Sequence, residues 1–168
     1  NNLSSQNSSI LSSGEWYKIS TNRDGIYKID YSDLENLGVN LNNLTFSSVK
    51  LYGNGKGMLP ESNSVFRYND LIENAVKVYD KNSNGFFDQN DYILFFGHSP
   101  TVWRFNESTG LFNHEINLYS DDVYYFLTVN NNTNAKRIYT QNIAGPSSRK
   151  ITSFNSFDFH ELEQENLI

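Results

Sequence analysis

The segment Asp80-Lys81-Asn82-Ser83-Asn84-Gly85-Phe86-Phe87-Asp88-Gln89-Asn90-Asp91 constrains this chain more than any other. Oxygen-bearing side chains stand at positions 1, 3, 5, 9 and 12 of a twelve-residue loop, with Gly85 at position 6. That is the ligand spacing of a calcium loop, in which a hard cation gathers oxygens from alternate positions of a tight coil. Asp80, Asn82, Asn84, Asp88 and Asp91 would offer side-chain oxygens, and Phe86 its carbonyl. Position 12 is Asp rather than the longer Glu, and positions 3 and 5 are Asn. Only three carboxylates are therefore supplied, and the expected calcium affinity is weak, about 10⁻⁴–10⁻³ M. The alternative is an Asx/Gly-rich turn without metal.

The flanks of the loop indicate its setting. Tyr92-Ile93-Leu94-Phe95-Phe96-Gly97 is short, aromatic and β-branched, which suits a buried strand. Ala75-Val76-Lys77-Val78-Tyr79 alternates as a strand does, although Leu71, Ile72, Ala75, Val76 and Tyr79 also fit a helical period. The exit side decides for β. The loop is thus expected to close a β-hairpin, where a calcium would be structural.

The rest of the chain points to an all-β, β-sandwich-like domain of many short antiparallel strands. Aromatic residues make up 15% of the 168 residues, with 11 Tyr and 12 Phe, which favours strands. Strands are expected at Glu15-Trp16-Tyr17-Lys18-Ile19-Ser20, Ile26-Tyr27-Lys28-Ile29 and Val49-Lys50-Leu51-Tyr52-Gly53. Later ones are expected at Trp103-Arg104-Phe105, His114 to Leu118, Val123 to Val129 and Arg137-Ile138-Tyr139. Asn22-Arg23-Asp24-Gly25 reads as a hairpin turn. One short helix is expected near residues 32–37, capped by Ser32 and stopped by Gly38. Residues 1–13 read as an Asn/Ser-rich lead-in and 14–156 as a single β-rich domain. Residues 157–168 read as an acidic segment leading into a further domain.

Other chemistry is poorly represented. Net charge is −6 with scattered Lys and Arg, which excludes a nucleic-acid footprint. Cysteine is absent, so the chain has no disulfide and no thiolate site. No apolar run is long enough to span a membrane. The N-terminus carries no signal sequence, and the expectation is that one was removed or precedes the chain. Gly53-Asn54-Gly55-Lys56-Gly57 lacks the following helix that a phosphate cradle needs, and Pro60 opposes one. His98, His114 and His160 share no metal-ligand spacing. No nucleophile elbow groups the serines, histidines and aspartates. Trp16 and Trp103 could line a sugar-stacking face, which leaves a calcium-assisted carbohydrate- or ligand-binding module as the alternative reading.

A family resemblance rests on several of these residues in order. Glu15-Trp16-Tyr17-Lys18-Ile19, Gly25-Ile26-Tyr27-Lys28-Ile29-Asp30 and Leu51 to Glu61 look like the N-terminal region of the Bacteroidetes type IX secretion system sortase, a gingipain-like cysteine endopeptidase. The likeness continues through Asp70 to Ala75, the calcium-like loop, Asp91 to Gly97, Tyr119-Ser120-Asp121 and Tyr124 to Leu127. It closes on Phe159-His160-Glu161 and Glu165 to Ile168. The resemblance implies an exported protein at the outer membrane and cell surface of a Gram-negative bacterium. It implies a parent that removes C-terminal secretion signals from cargo, with a catalytic cysteine and histidine in a downstream domain. This chain has no cysteine, so no catalytic residue carries over. The resemblance makes it a non-catalytic accessory or scaffold domain. Its implied partners are the downstream peptidase domain of the same chain, outer-membrane secretion components and secreted cargo.

Overall fold

A computed structural model describes residues 8–129, 134–142, 145 and 151–153. The expected lead-in up to residue 7 and the acidic segment from 157 lie outside the described residues. So do Phe159, His160, Glu161 and Glu165 to Ile168 of the family resemblance. Residues 10–12 form a single 3₁₀ turn, and Ser9 Oγ and the Ile10 amide both donate to the Asp70 carboxylate.

Among the described residues the chain is mostly β, as expected: three antiparallel sheets and one short helix, with no closed barrel. The strands are β1 (Tyr17–Thr21), β2 (Gly25–Asp30), β3 (Val49–Tyr52), β4 (Glu73–Asn74), β5 (Lys77–Tyr79), β6 (Tyr92–Gly97), β7 (Val102–Asn106), β8 (Leu111–Glu115) and β9 (Val123–Val129). The first sheet has the order β1-β9-β3-β4 and the second β2-β6-β5; β7 and β8 form a separate ribbon. The two larger sheets share one core. Val49, Leu51, Tyr125 and Leu127 come from the first, and Ile29, Ile93 and Phe95 from the second. The rings of Phe95 and Tyr125 meet edge to face at 5.2 Å between centroids. Each fully buried large side chain contributes about 1.5–3 kcal/mol, so this shared layer holds the sheets together.

Four local expectations are corrected. Asn22-Arg23-Asp24-Gly25 does not close a hairpin, because β1 pairs with β9 and β2 with β6. A two-residue hairpin turn of type I′ needs positive φ at its central residues, and neither Asp24 nor Gly25 has one. The Asp24 carboxylate instead accepts the Ser99 amide at 3.0 Å, which ties the corner to the end of β6. Gly97 permits that approach, since a Cβ there would lie 2.6 Å from the Tyr27 ring and 2.7 Å from Thr21 Cγ2.

The helix, α1 (Tyr31–Asn36), is capped by Asp30 rather than Ser32. Asp30 accepts the Asp33 amide and Asp33 accepts the Asp30 amide, a reciprocal capping box. Its end falls at Gly38 as expected. The Gly38 and Val39 amides donate to the carbonyls of Glu35 and Leu34. The strand expected at His114–Leu118 runs instead from Leu111 to Glu115. The turn after β7 is tighter than the sequence suggested, because Gly110 N–H donates to the Asn106 carbonyl and starts β8 early. Arg137-Ile138-Tyr139 is not a strand, and makes only one parallel bridge, Val76 with Arg137.

Candidate metal loop

The loop closes the hairpin that the sequence led us to expect, with Tyr79 paired to Tyr92 across β5 and β6. These two rings stack at 4.5 Å, which fixes the register at the loop's mouth. Gly85, at φ +81°, adopts the left-handed conformation that position 6 demands. Its amide donates to Asp80 Oδ2 at 2.8 Å, folding the first ligand position back over the sixth.

Successive Asx turns shape the interior. Asn82 Oδ1 accepts the Asn84 amide and Asn84 Oδ1 accepts the Phe86 amide, at 3.2 and 2.8 Å. The side-chain amides of Asn82 and Asn84 both donate to Asp88 Oδ2, at 2.9 and 2.8 Å. These two donors hold the half-buried Asp88 carboxyl below its ordinary pKa. Positions 3, 5 and 9 are therefore drawn together. The two Asn amide groups now face the carboxylate with their nitrogens, whereas a cation would need their oxygens.

Asp91 makes contacts beyond the one its position suggested. It is almost fully buried, and its two oxygens accept the amides of Lys81 and Asp88 at 2.9 and 2.7 Å. It works as a clasp across the base of the loop. The shorter Asp, which looked like a weak twelfth ligand, is the right length for that purpose.

Phe86 and Phe87 fasten the loop to the core. Gly85 O accepts the Phe46 amide and Phe87 N–H donates to Leu44 O, on either side of the Thr45–Phe86 bridge. In an antiparallel pair, the residue between two such bonds turns its own N–H and C=O the other way. The Phe86 N–H does so, reaching Asn84, and its carbonyl faces the same loop side. Phe87 is buried and packs against Phe46 at 5.0 Å between ring centroids.

The donor set fits a hard cation in its chemistry, since every candidate is oxygen. Asp80 Oδ1 is buried and is without a hydrogen-bond partner, an uncommon state for a carboxylate oxygen. Among the described residues, no three His, Cys, Asp or Glu side chains are gathered as a metal-holding group. Any ligand shell must therefore draw on the Asn oxygens and the Phe86 carbonyl beside the carboxylates.

The weaker candidates take structural places. Asn54, in the glycine-rich stretch, donates to Asp70 O and accepts the Ile72 amide, and no helix follows. His98 lies 3.3 Å from Asp24, and His114 packs on the Trp103 ring. Trp16 rests edge to face on Tyr52 and donates its indole N–H to Ser13 O. Arg137 was read only as part of a strand, yet its guanidinium is half-buried and donates to the carbonyls of Phe46 and Val49. No local motif announces such a contact across about ninety residues of chain.

The described residues contain no helix long and apolar enough to cross a membrane. No family model matches the chain, and no curated protein does. Among solved structures, it is similar to part of dimeric latent PorU from Porphyromonas gingivalis. The TM-score is 0.51 and the identity 27%, over 71% of this chain and 10% of that one. The chain thus corresponds to about a tenth of the length of the protein it resembles.

Proposed function

We propose that this chain serves as a non-catalytic scaffold domain of a PorU-like sortase of type IX secretion, with the Asp80–Asp91 loop as its structural calcium site. The observation that carries the first part is the match to a small β-rich portion of PorU at 27% identity. The absence of cysteine agrees with that role, since the implied chemistry belongs to a cysteine peptidase elsewhere in the parent. On this reading the domain is exported and stands at the cell surface. Its partners are the peptidase domain of the parent, outer-membrane secretion components and cargo.

The calcium part is supported by the ligand spacing, the left-handed Gly85 and the buried, unpartnered Asp80 Oδ1. Asp80, Asp88, the Asn82 and Asn84 oxygens and the Phe86 carbonyl would hold the ion, with Asp91 clasping the loop beneath. The ion would supply charge neutralisation and rigidity, pinning the hairpin to the Leu44–Phe46 segment. Incubation of the purified chain with a fluorogenic peptide library tests the non-catalytic reading. No turnover is expected, and hydrolysis that copurifies with the chain would overturn it.

A further inference from the structure

The outer face of the first sheet carries a small enclosed site. Val49, Leu51 and Leu127 belong to the shared core, so the two-residue period of a strand puts Lys50, Tyr52 and Thr128 on the opposite face. Tyr52 and Thr128 are nevertheless only 9% and 7% exposed. The segment before β1 covers them. Asp70 pins its start by accepting Ser9 Oγ and the Ile10 amide, and Trp16 closes its end against the Tyr52 ring. A cavity of about 200 Å³ remains beneath, lined by Trp16, Lys50, Tyr52 and Thr128, with Ile10 and the Ser13-Gly14 turn of the covering segment.

Two polar groups in this cavity are unspent. Lys50 and Thr128 are direct cross-strand partners in β3 and β9. Thr128 is more than nine-tenths buried, yet its hydroxyl makes no hydrogen bond among the described residues and is not sealed from the cavity. For packing alone Val would serve better there, since an unbonded buried hydroxyl costs stability. Lys50 is half-buried and has no carboxylate partner among the described residues. Glu73, opposite Tyr52, is occupied by the Lys136 amide. The Trp16 indole N–H is likewise spent, on Ser13 O. The cavity thus offers one ammonium and one hydroxyl side by side, between aromatic walls.

We propose that this cavity binds a small aromatic carboxylic acid as its anion. The carboxylate accepts from the Lys50 ammonium and the Thr128 hydroxyl, and the ring lies against Trp16 and Tyr52. A single cation and a single hydroxyl suit a monoanion. A phosphate dianion calls for the forked donors of arginine or a row of main-chain amides at a helix start, and no Arg lines the cavity. The volume lies below the range of about 300–1,000 Å³ typical of drug-sized ligands, which favours a body of one ring over a glycan or a peptide. The inference depends neither on the calcium loop nor on the sortase reading.

Phenylacetate is the probe, titrated into the purified chain while NMR follows the amide and indole N–H resonances. Saturable shifts are expected at the Trp16 indole and at Lys50 and Thr128. The neutral isostere phenylacetamide should bind about tenfold more weakly, the worth of one charge-assisted hydrogen bond. Lys50→Gln should weaken phenylacetate by about tenfold and leave phenylacetamide unchanged. Thr128→Val should weaken phenylacetate by about three- to tenfold and leave the melting temperature unchanged or raised, because it removes an unbonded hydroxyl. Melting curves of both variants check that they fold. Absence of saturable shifts at millimolar phenylacetate overturns the proposal, as do shifts that map away from the cavity. So does equal binding of phenylacetamide, which would leave the carboxylate without a role. Tighter binding of benzylphosphonate would overturn it in favour of a phosphate-bearing ligand. A lower melting temperature with unchanged affinity in Thr128→Val would make that hydroxyl structural and overturn its assignment.

Discussion

The two flanks of the sandwich are built from the same move and end differently. On each, the chain passes from one large sheet to the other. At the β4–β5 flank it does so through Ala75 and Val76, and Val76 is almost completely buried. A second segment then runs alongside: Val76 N–H donates to Lys136 O, and Ile138 N–H donates to Val76 O. The Lys136 amide reaches the Glu73 carboxylate, and Arg137 reaches inward to the Phe46 and Val49 carbonyls. At the β1–β2 flank the crossing is a corner at Asn22–Asp24, and Asp33, Asn36 and Leu37 wall the gap without any described backbone segment hydrogen-bonding along the two edges. A crossing alone does not seal a sandwich. Sealing takes a further stretch of backbone that satisfies the edges and covers the core.

That contrast predicts a graded set of losses. Val76→Asp places a charge in the sealed flank, where no partner awaits it, and should cost about 4 kcal/mol or more in urea unfolding. Arg137→Ala leaves two carbonyls without their donor and should cost about 2–3 kcal/mol, with Arg137→Lys recovering part. Ile19→Ala, in the open cleft, should cost only about 1 kcal/mol, because that side chain is half-buried. If Ile19→Ala matched Arg137→Ala, the distinction between sealed and open flanks would fail.

The smallest effect concerns the start of α1, beside the open flank. The Lys28 ammonium, then the Ser32 hydroxyl and the Asp33 amide, hold the Asp30 carboxyl well below the usual carboxylate range. A depressed folded pKa contributes stability above the unfolded value, about 4, and loses it as pH falls towards the folded one. Asp30→Ala should cost about 1 kcal/mol at neutral pH, the usual worth of an N-cap. It should also flatten the acid limb of a stability–pH curve, and an unchanged limb would remove Asp30 from the account.

Much of the fold was legible because it is local. Alternation and aromatic content located β3, β6 and β9, and Gly38 marked the end of the helix. The strand-like flanks of Asp80–Asp91 correctly anticipated a hairpin loop. The failures were all matters of what a segment pairs with. Asp24-Gly25 carries the strongest short hairpin signal, yet Gly97 and Ser99, more than seventy residues on, draw it into a corner. Asp30 outcompeted Ser32 as cap because Asp33 completes the reciprocal box. Arg137 was invisible as an interior donor because its acceptors are distant main-chain carbonyls. Asp91 was legible as part of the loop but not as its clasp, since burial is a property of the packed hairpin.

Thermal unfolding of the purified chain in EDTA and in millimolar CaCl₂, beside an Asp80→Ala/Asp88→Ala variant, tests the proposed structural calcium site most directly. A ligand that binds only the folded state stabilises it by RT ln(1 + [L]/Kd), about 2.7 kcal/mol at a hundredfold excess over Kd. The account predicts a rise in melting temperature of several degrees for the unsubstituted chain and none for the variant. Identical curves with and without saturating calcium would contradict it, and would leave Asp80–Asp91 as a hydrogen-bonded turn.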